Sequence, residues 1–276
     1  LVLDARKDIE QLANEWAGCQ KCELHVTREY NETEVLLGGG EYEGIMFIGE
    51  SPSYSDNRKG AVFSDKESRA TLLHCVEGLK MRPVYFTYLL ACQSNAFKLG
   101  DDGEREVRAN FQGRERYVVI PQPPAVLPLR ACRARLNEEI YIVDPVLIVA
   151  LGATVAASLS GQSVSIKADR GTTRTIAIPG VTHVPNLSKK KKEWTRKVKG
   201  VEITPVDPFL VRYQMLITHS ITEVWDASQD DGKDNAFDAF VEDMIFARSL
   251  YRAHHEEVTG VTPDYDTDPD IERPDP

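Results

Sequence analysis

Gly44-Ile-Met-Phe-Ile-Gly-Glu-Ser-Pro-Ser-Tyr-Ser-Asp-Asn57 is the stretch on which the reading of the fold turns. Ile45 to Ile48 form a short apolar run with the length and branching of a buried strand. Gly49 then breaks the run into a polar loop that holds Glu50, Ser51, Pro52 and the pair Asp56-Asn57. Open α/β sheets bind their ligands outside the carboxyl ends of the strands, so an acid placed there is a candidate for chemistry. An ordinary strand exit looks the same in isolation, and the case for a site rests on the rest of the chain.

Three further apolar runs read as strands: Val84 to Cys92, Val146 to Gly152 and Gln214 to His219. Between and around them, apolar residues recur at helical spacing over Asp4 to Ala17, Glu67 to Leu79, Leu129 to Val143, Ala153 to Leu159 and Ala236 to Arg252. Strands alternating with helices predict an α/β protein with three layers, α/β/α, and a central four-stranded parallel sheet. Glu50, Tyr88 and His219 then fall at strand ends along one edge of that sheet. Two stretches interrupt the pattern, about 93–128 and 183–208, and both read as insertions into a domain of residues 1–252. A strand-like Thr175 to Ile178 lies between them. Residues 253–276 carry acids and prolines with little apolar mass, which predicts a disordered acidic tail.

The net charge of −10 argues against a nucleic-acid partner until it is divided along the chain. Asp226 to Pro276 hold 15 acids and 4 bases, which leaves the preceding residues at +1 and free to carry a basic face. Lys189, Lys190, Lys191, Lys192, Trp194 and Arg196 cluster in the second insertion, a mixture suited to phosphate contact and stacking on an exposed base. A solvated lysine-rich loop has the same composition. No apolar run approaches the roughly 20 residues of a membrane span, and the first ten residues carry charges where a secretion signal would be apolar. A cytoplasmic monomer with no membrane contact is expected.

The cysteines are Cys19, Cys22, Cys75, Cys92 and Cys132. An odd count without a secretion signal disfavours a disulfide framework, and the Cys-x-x-Cys spacing of Cys19 and Cys22 lets two thiolates reach one metal centre, zinc or iron–sulfur. Cys75 sits among Leu72, Leu73 and Leu79 and reads as a buried small hydrophobe.

Taken in order, Cys-x-x-Cys, strand–Gly-Glu-x-Pro, Gly-x-x-Phe, strand–Thr-x-x-x-x-Cys, a later cysteine, strand–Leu-Gly, Arg-Gly and strand–Thr-His resemble the iron–sulfur (family 4) uracil-DNA glycosylases, in segments from Leu12 to Tyr251. The resemblance implies that Cys19, Cys22, Cys92 and Cys132 hold a [4Fe–4S] cluster, with zinc as the alternative metal. It makes Glu50 and His219 catalytic, and Ser51, Pro52, Asp56, Asn57 and Phe63 the pocket of a flipped base, with Phe63 stacking on it. Arg170, of the Arg170-Gly171 pair, joins the basic residues as a DNA contact. The implied partner is DNA, single- or double-stranded, and the implied reaction is hydrolysis of the N-glycosidic bond of uracil or a modified pyrimidine. A divergent member of this kind would suit a bacteriophage, and its location would then be the host cytoplasm.

Two departures bear on specificity. The position at which the family places a uracil-reading asparagine is Tyr88, and a phenol cannot offer the paired donor and acceptor of an amide. The family's closing His-Pro motif is here His219-Ser220-Ile221-Thr222-Glu223-Val224-Trp225. These departures motivate an alternative expectation, a catalytically inactive nucleic-acid-binding protein that keeps the fold.

Overall fold

The four apolar runs form strands because both faces of each are covered. The computed structural model describes residues 5–109, 113–179, 210–228 and 236–260. In it β2 (Ile45–Gly49), β3 (Val84–Tyr88), β8 (Leu147–Leu151) and β10 (Leu210–Thr218) lie in one sheet. Every residue of β2 and of β8 is buried. Ile45, Phe47, Val149 and Leu216 point to one face, where Phe237, Phe240 and Met244 of the closing helix (Ala236–Thr259) complete the core. Met46, Ile48, Ile148 and Ile217 point to the other, against Leu136, Ile140 and Val143 of α6 (Val126–Val143) and Val155 of α7 (Ala153–Ser160). Side chains alternate across a strand, so neighbouring residues feed opposite layers.

The predicted strands are mutually parallel, with Gly49 beside Tyr88 and Leu151 beside Thr218 in register. The sheet has two more members than the four expected. β1 (Gly39–Gly40) adds antiparallel to β3 at one edge, and β9 (Thr173–Pro179) adds antiparallel to β10 at the other, in the order β1-β3-β2-β8-β10-β9. β1 carries no apolar signal because it is two glycines. A side chain on Gly40 would meet the Val84 carbonyl oxygen at 2.3 Å, so only glycine permits this close edge pairing.

Other differences are local. The stretch expected as one helix from Glu67 is three pieces: α4 (Lys66–Ser68), a π-helical turn (Arg69–Leu73) and α5 (His74–Gly78). The 93–128 insertion is a flap of two ribbons, β4 (Asn95–Phe97) with β7 (Val119–Pro121), and β5 (Val107–Ala109) with β6 (Glu115–Tyr117). The closing helix continues to Thr259, so the expected tail from residue 253 begins as helix. No proline falls between Ala236 and Pro263, and an uninterrupted backbone can keep its i→i−4 bonds. The rest of the tail and the basic cluster Lys189, Lys190, Lys191, Lys192, Trp194 and Arg196 lie outside the described residues. Among the described residues no helix is long and apolar enough to cross a membrane.

A buried ionic brace sets the end of β3. Arg135 and Glu139 of α6, both fully buried, pair with each other. Arg135 Nη2 donates to the carbonyls of Tyr88 (2.5 Å) and Leu89 (2.8 Å). Glu139 accepts from Gly38 N–H (2.7 Å), Tyr85 Oη (3.0 Å) and Thr87 Oγ1 (2.9 Å). Removing one partner strands the other charge out of water, so Arg135→Met should cost about 3–5 kcal/mol, read as a lowered urea midpoint. Because Glu139 would still hold three donors, Arg135→Met/Glu139→Gln should recover part of that loss.

Candidate active site at the carboxyl ends of the strands

The loop after β2 is held by its own polar groups. Ser53 caps α3 (Tyr54–Lys59) in a capping box: Asp56 N–H donates to Ser53 Oγ at 3.1 Å and Ser53 N–H to Asp56 Oδ2 at 2.9 Å. Asp56 is wholly buried and also accepts from Ser64 N–H (2.6 Å) and Ser64 Oγ (2.9 Å). Its carboxylate therefore ties three segments together. Asn57, also buried, turns its Nδ2 to the Glu34 carbonyl at 3.1 Å. Pro52 is buried, while Glu50 and Ser51 are half-buried. The Glu50 carboxylate has no hydrogen bond or ion pair among the described residues, and it lies outside the carboxyl end of the buried strand β2.

Phe63 and Tyr88 meet beside this loop. Phe63 is 2% exposed and adopts a left-handed backbone conformation, φ 49°, unusual for a bulky residue. Its N–H donates to Tyr88 Oη at 2.9 Å, and the two ring centroids are 4.5 Å apart with planes 37° from parallel. Tyr88 Oη in turn donates to Asp56 Oδ2 at 2.8 Å. Burial, and then the Asp56 charge, raise the Tyr88 phenol far above the ordinary tyrosine range, so it stays protonated. Gly49 makes room for this pair: a side chain there would lie 2.9 Å from the Tyr88 ring and 3.0 Å from that of Phe63. The aromatic face that the family resemblance reserves for a flipped base is covered by Tyr88.

His219 follows β10, two strands across from β2, so the Glu50 and His219 backbones are separated by roughly 10 Å at ordinary strand spacing. Its Nδ1 lies 3.7 Å from Glu223 Oε2. Glu223 opens the helix Ile221–Ser228, accepting from Ser220 N–H at 2.9 Å and donating its own N–H to Ser220 Oγ at 3.2 Å. His219 first, and the Ser220 amide after it, hold the Glu223 carboxyl down at about 2. Gly152 lets this turn approach β8, since a side chain there would touch Ser220 at 3.0 Å.

Arg170, expected on DNA, is engaged within the protein. Its guanidinium donates to Asp243 Oδ1 (2.9 Å) and the Ala239 carbonyl (3.0 Å), with Glu242 at 3.3 Å. Asp243, 3% exposed, also accepts from Thr218 Oγ1 at 2.7 Å, the residue before His219. Gly171 (φ 69°) donates its N–H to the Ile217 carbonyl at 2.8 Å. With its charge met by two carboxylates, Arg170 braces the end of β10 to the closing helix. Asp243 and the Arg135–Glu139 pair are site-shaping residues that the strand-and-motif reading passed over.

The cysteines lie in two environments. Cys75 is fully buried beside Leu72 and Leu79, its thiol pushed up to about 12 by burial. Cys92 and Cys132 are buried with Leu24 and Leu90 in a small cluster that Cys22 packs against. Burial, followed by Cys132, raises the Cys92 thiol to about 12; Cys22 and Cys19 add to the rise, and Arg28 opposes it. No group of three or more Cys, His, Asp or Glu among the described residues is arranged to hold a single metal ion. Arg28 is 7% exposed, and its Nη1 is buried without a hydrogen-bond partner. Its Nη2 lies 3.8 Å from Glu29 Oε1.

The architecture and the strand-end loop define a member of the uracil-DNA glycosylase class. The family model described as the Uracil DNA glycosylase superfamily matches residues 40–204, and the chain belongs to that superfamily. It is 28% identical over 156 residues to a Type-4 uracil-DNA glycosylase of Thermotoga maritima, covering 55% of this chain and 67% of that protein. It is 30% identical over 89 residues to a Type-4 uracil-DNA glycosylase of Archaeoglobus fulgidus, covering 32% of this chain and 43% of that one. The chain is a divergent, family 4-like member. The family match includes Glu50, Phe63, Tyr88, Cys92 and Cys132 and stops short of His219.

Proposed function

We propose that the protein is a DNA glycosylase-type enzyme that hydrolyses the N-glycosidic bond of a flipped uracil or modified pyrimidine. The observation that carries this reading is the Glu50 carboxylate at the end of β2, without a partner among the described residues and on the same sheet edge as His219. In such a reaction the C1′–N bond breaks with its electron pair passing to the base, and water adds to C1′. Glu50 would stabilise positive charge building on the sugar and take the proton of the incoming water. His219 would donate to the base oxygen on which negative charge collects. Cys22, Cys92 and Cys132 pack in one cluster, and together with Cys19 they would hold the [4Fe–4S] cluster that the family 4 resemblance implies, with zinc as the alternative. Bound there, the cluster would supply a structural cross-link.

Tyr88 favours a second reading: a protein that binds DNA without excising a base, because the pocket is filled by its own side chain. Incubation with single- and double-stranded oligonucleotides containing uracil or 5-substituted uracils, followed by alkali cleavage of abasic products, separates the two. Product from the wild type and none from Glu50→Ala is the expected result. DNA binding that weakens steeply with salt and yields no product on any of these substrates would sink the excision reading and support the second.

A further inference from the structure

Beside the loop that carries Glu50, but separate from the Phe63–Tyr88 pocket, is a cleft of about 300 Å³ between that loop and the flap. Its walls include Tyr54 of α3, Tyr117 and Arg116 of β6, and Gln93 and Asn95 at the start of the flap. Its shape is built rather than incidental. Tyr117 N–H donates to Tyr30 Oη at 2.7 Å, and Tyr30, Phe97 and Tyr117 form a ring cluster with centroids 5.2–5.8 Å apart. Arg105 lies over the Phe97 ring at 4.1 Å. These contacts anchor the flap to α2 (Leu24–Tyr30) and hold the cleft open beneath it.

The chemistry of the cleft is that of a base reader. Asn95 is 6% exposed, and its Oδ1 is buried with no hydrogen-bond partner. A buried acceptor left unpaired is costly, and one that lines a cleft is an acceptor awaiting a donor. Asn95 Nδ2 donates to Gln93 Oε1 at 3.1 Å, which leaves Gln93 Nε2 as a donor next to that acceptor. Setting both amides the other way round exchanges the roles and still leaves one polar atom of Asn95 without a partner. Tyr54 is 50% exposed, with Arg58 5.7 Å over its ring, and Arg116 makes no ion pair among the described residues. An acceptor beside a donor, an exposed ring and a guanidinium without an ion pair among the described residues complement an imide-edged nucleobase and its phosphate.

We infer that this cleft is a second nucleotide site, taking one unpaired base of a DNA strand with an N–H flanked by a carbonyl, such as thymine or guanine. Asn95 and Gln93 read the edge of that base, Tyr54 stacks on it and Arg116 meets its phosphate. A strand whose target nucleotide lies at the Glu50 loop would thereby place a neighbouring nucleotide under the flap. The inference shares with the proposed function only the premise that DNA is the ligand, and it requires no excision.

Fluorescence anisotropy with labelled dT12 and dA12, neither of which contains uracil, tests it. Tighter binding of dT12 than of dA12 is expected, with Tyr54→Ala and Arg116→Ala each weakening dT12 binding roughly fivefold or more. Asn95→Leu should abolish the preference for dT12. Because Asn95 is buried, its variant is checked by thermal melting, and the exposed Tyr54 and Arg116 variants keep the test decisive if it fails to fold. Equal affinity for the two oligonucleotides, or variants within twofold of the wild type, would overturn the cleft as a base site. Loss of dT12 binding in these variants alongside a wild type that releases no base leaves the cleft standing and the excision reading fallen. Excision by a wild type whose cleft variants bind normally has the opposite meaning.

Discussion

Tyr88→Asn is expected to open the base pocket and to raise uracil release from DNA by at least about a hundredfold over the wild type. The expectation follows from what Tyr88 does now. Its ring lies 4.5 Å from that of Phe63, and its hydroxyl uses both the Phe63 N–H and the Asp56 carboxylate. An asparagine at this position removes the ring and presents a donor and an acceptor together, the pair that an imide edge needs. Sites built to hydrogen-bond a substrate discriminate by factors of about 10⁴ or more, so a hundredfold gain asks for a modest part of that range. The substitution should also cost about 2–4 kcal/mol, since a buried aromatic side chain is lost from a closed core. Excision and melting temperature are measured on the same preparation. A stably folded Tyr88→Asn that cleaves uracil DNA no faster than the wild type would show that the ring is not what closes the pocket. Tyr88→Phe separates plug from hydrogen bond: it keeps the ring, loses the Asp56 and Phe63 contacts, and should leave the pocket shut.

The order of strands was legible because each central strand is buried on both faces and reads as a continuous apolar run. The edges were not. β1 is a pair of glycines whose role is close approach, and β9 alternates buried and exposed residues, which marks an edge without saying where it pairs. The shaping residues of the site left a trace that strand reading overlooked. Cys132, Arg135, Leu136, Glu139, Ile140 and Val143 share one face of α6, so two charges stand on an apolar stripe. Asp243 stands likewise between Phe240 and Met244 on the closing helix. A charge on a buried helical face must find a partner, and here those partners are the ends of β3 and β10.

Asp56 shows the reverse case. Its place in the loop suggested a role in the base pocket, but its oxygens are taken up by Ser53, Ser64 and Tyr88. A motif places a residue; only geometry says whether its polar atoms remain available. By that measure the Glu50 carboxylate has no partner among the described residues, while the Arg170 guanidinium and the Asp56 carboxylate are engaged within the protein.

Cys132→Ala is expected to abolish visible absorbance near ~400 nm in anaerobically purified protein, whereas Cys75→Ala should leave it intact. Cys132 sits on α6 and Cys92 just beyond β3, while Cys19 and Cys22 lie between α1 (Ala5–Trp16) and α2. A group bound by all four would therefore join three separate parts of the chain. The apolar cluster around these thiols, Leu24, Leu90, Cys92 and Cys132, is small. Structural metal centres contribute about 10–16 kcal/mol of apparent binding free energy in small domains, far more than such a cluster supplies. Its loss should free residues 5–30 to proteolysis and fast amide exchange while the central sheet stays protected. Loosening there would also release Tyr30, to which Tyr117 of the flap is bonded, and so weaken the cleft at a distance. The fifth cysteine is the internal control: like Cys92 and Cys132 it is buried, but it stands with leucines instead of thiols. If Cys75→Ala bleaches the protein, or Cys132→Ala does not, the assignment of the four ligands fails.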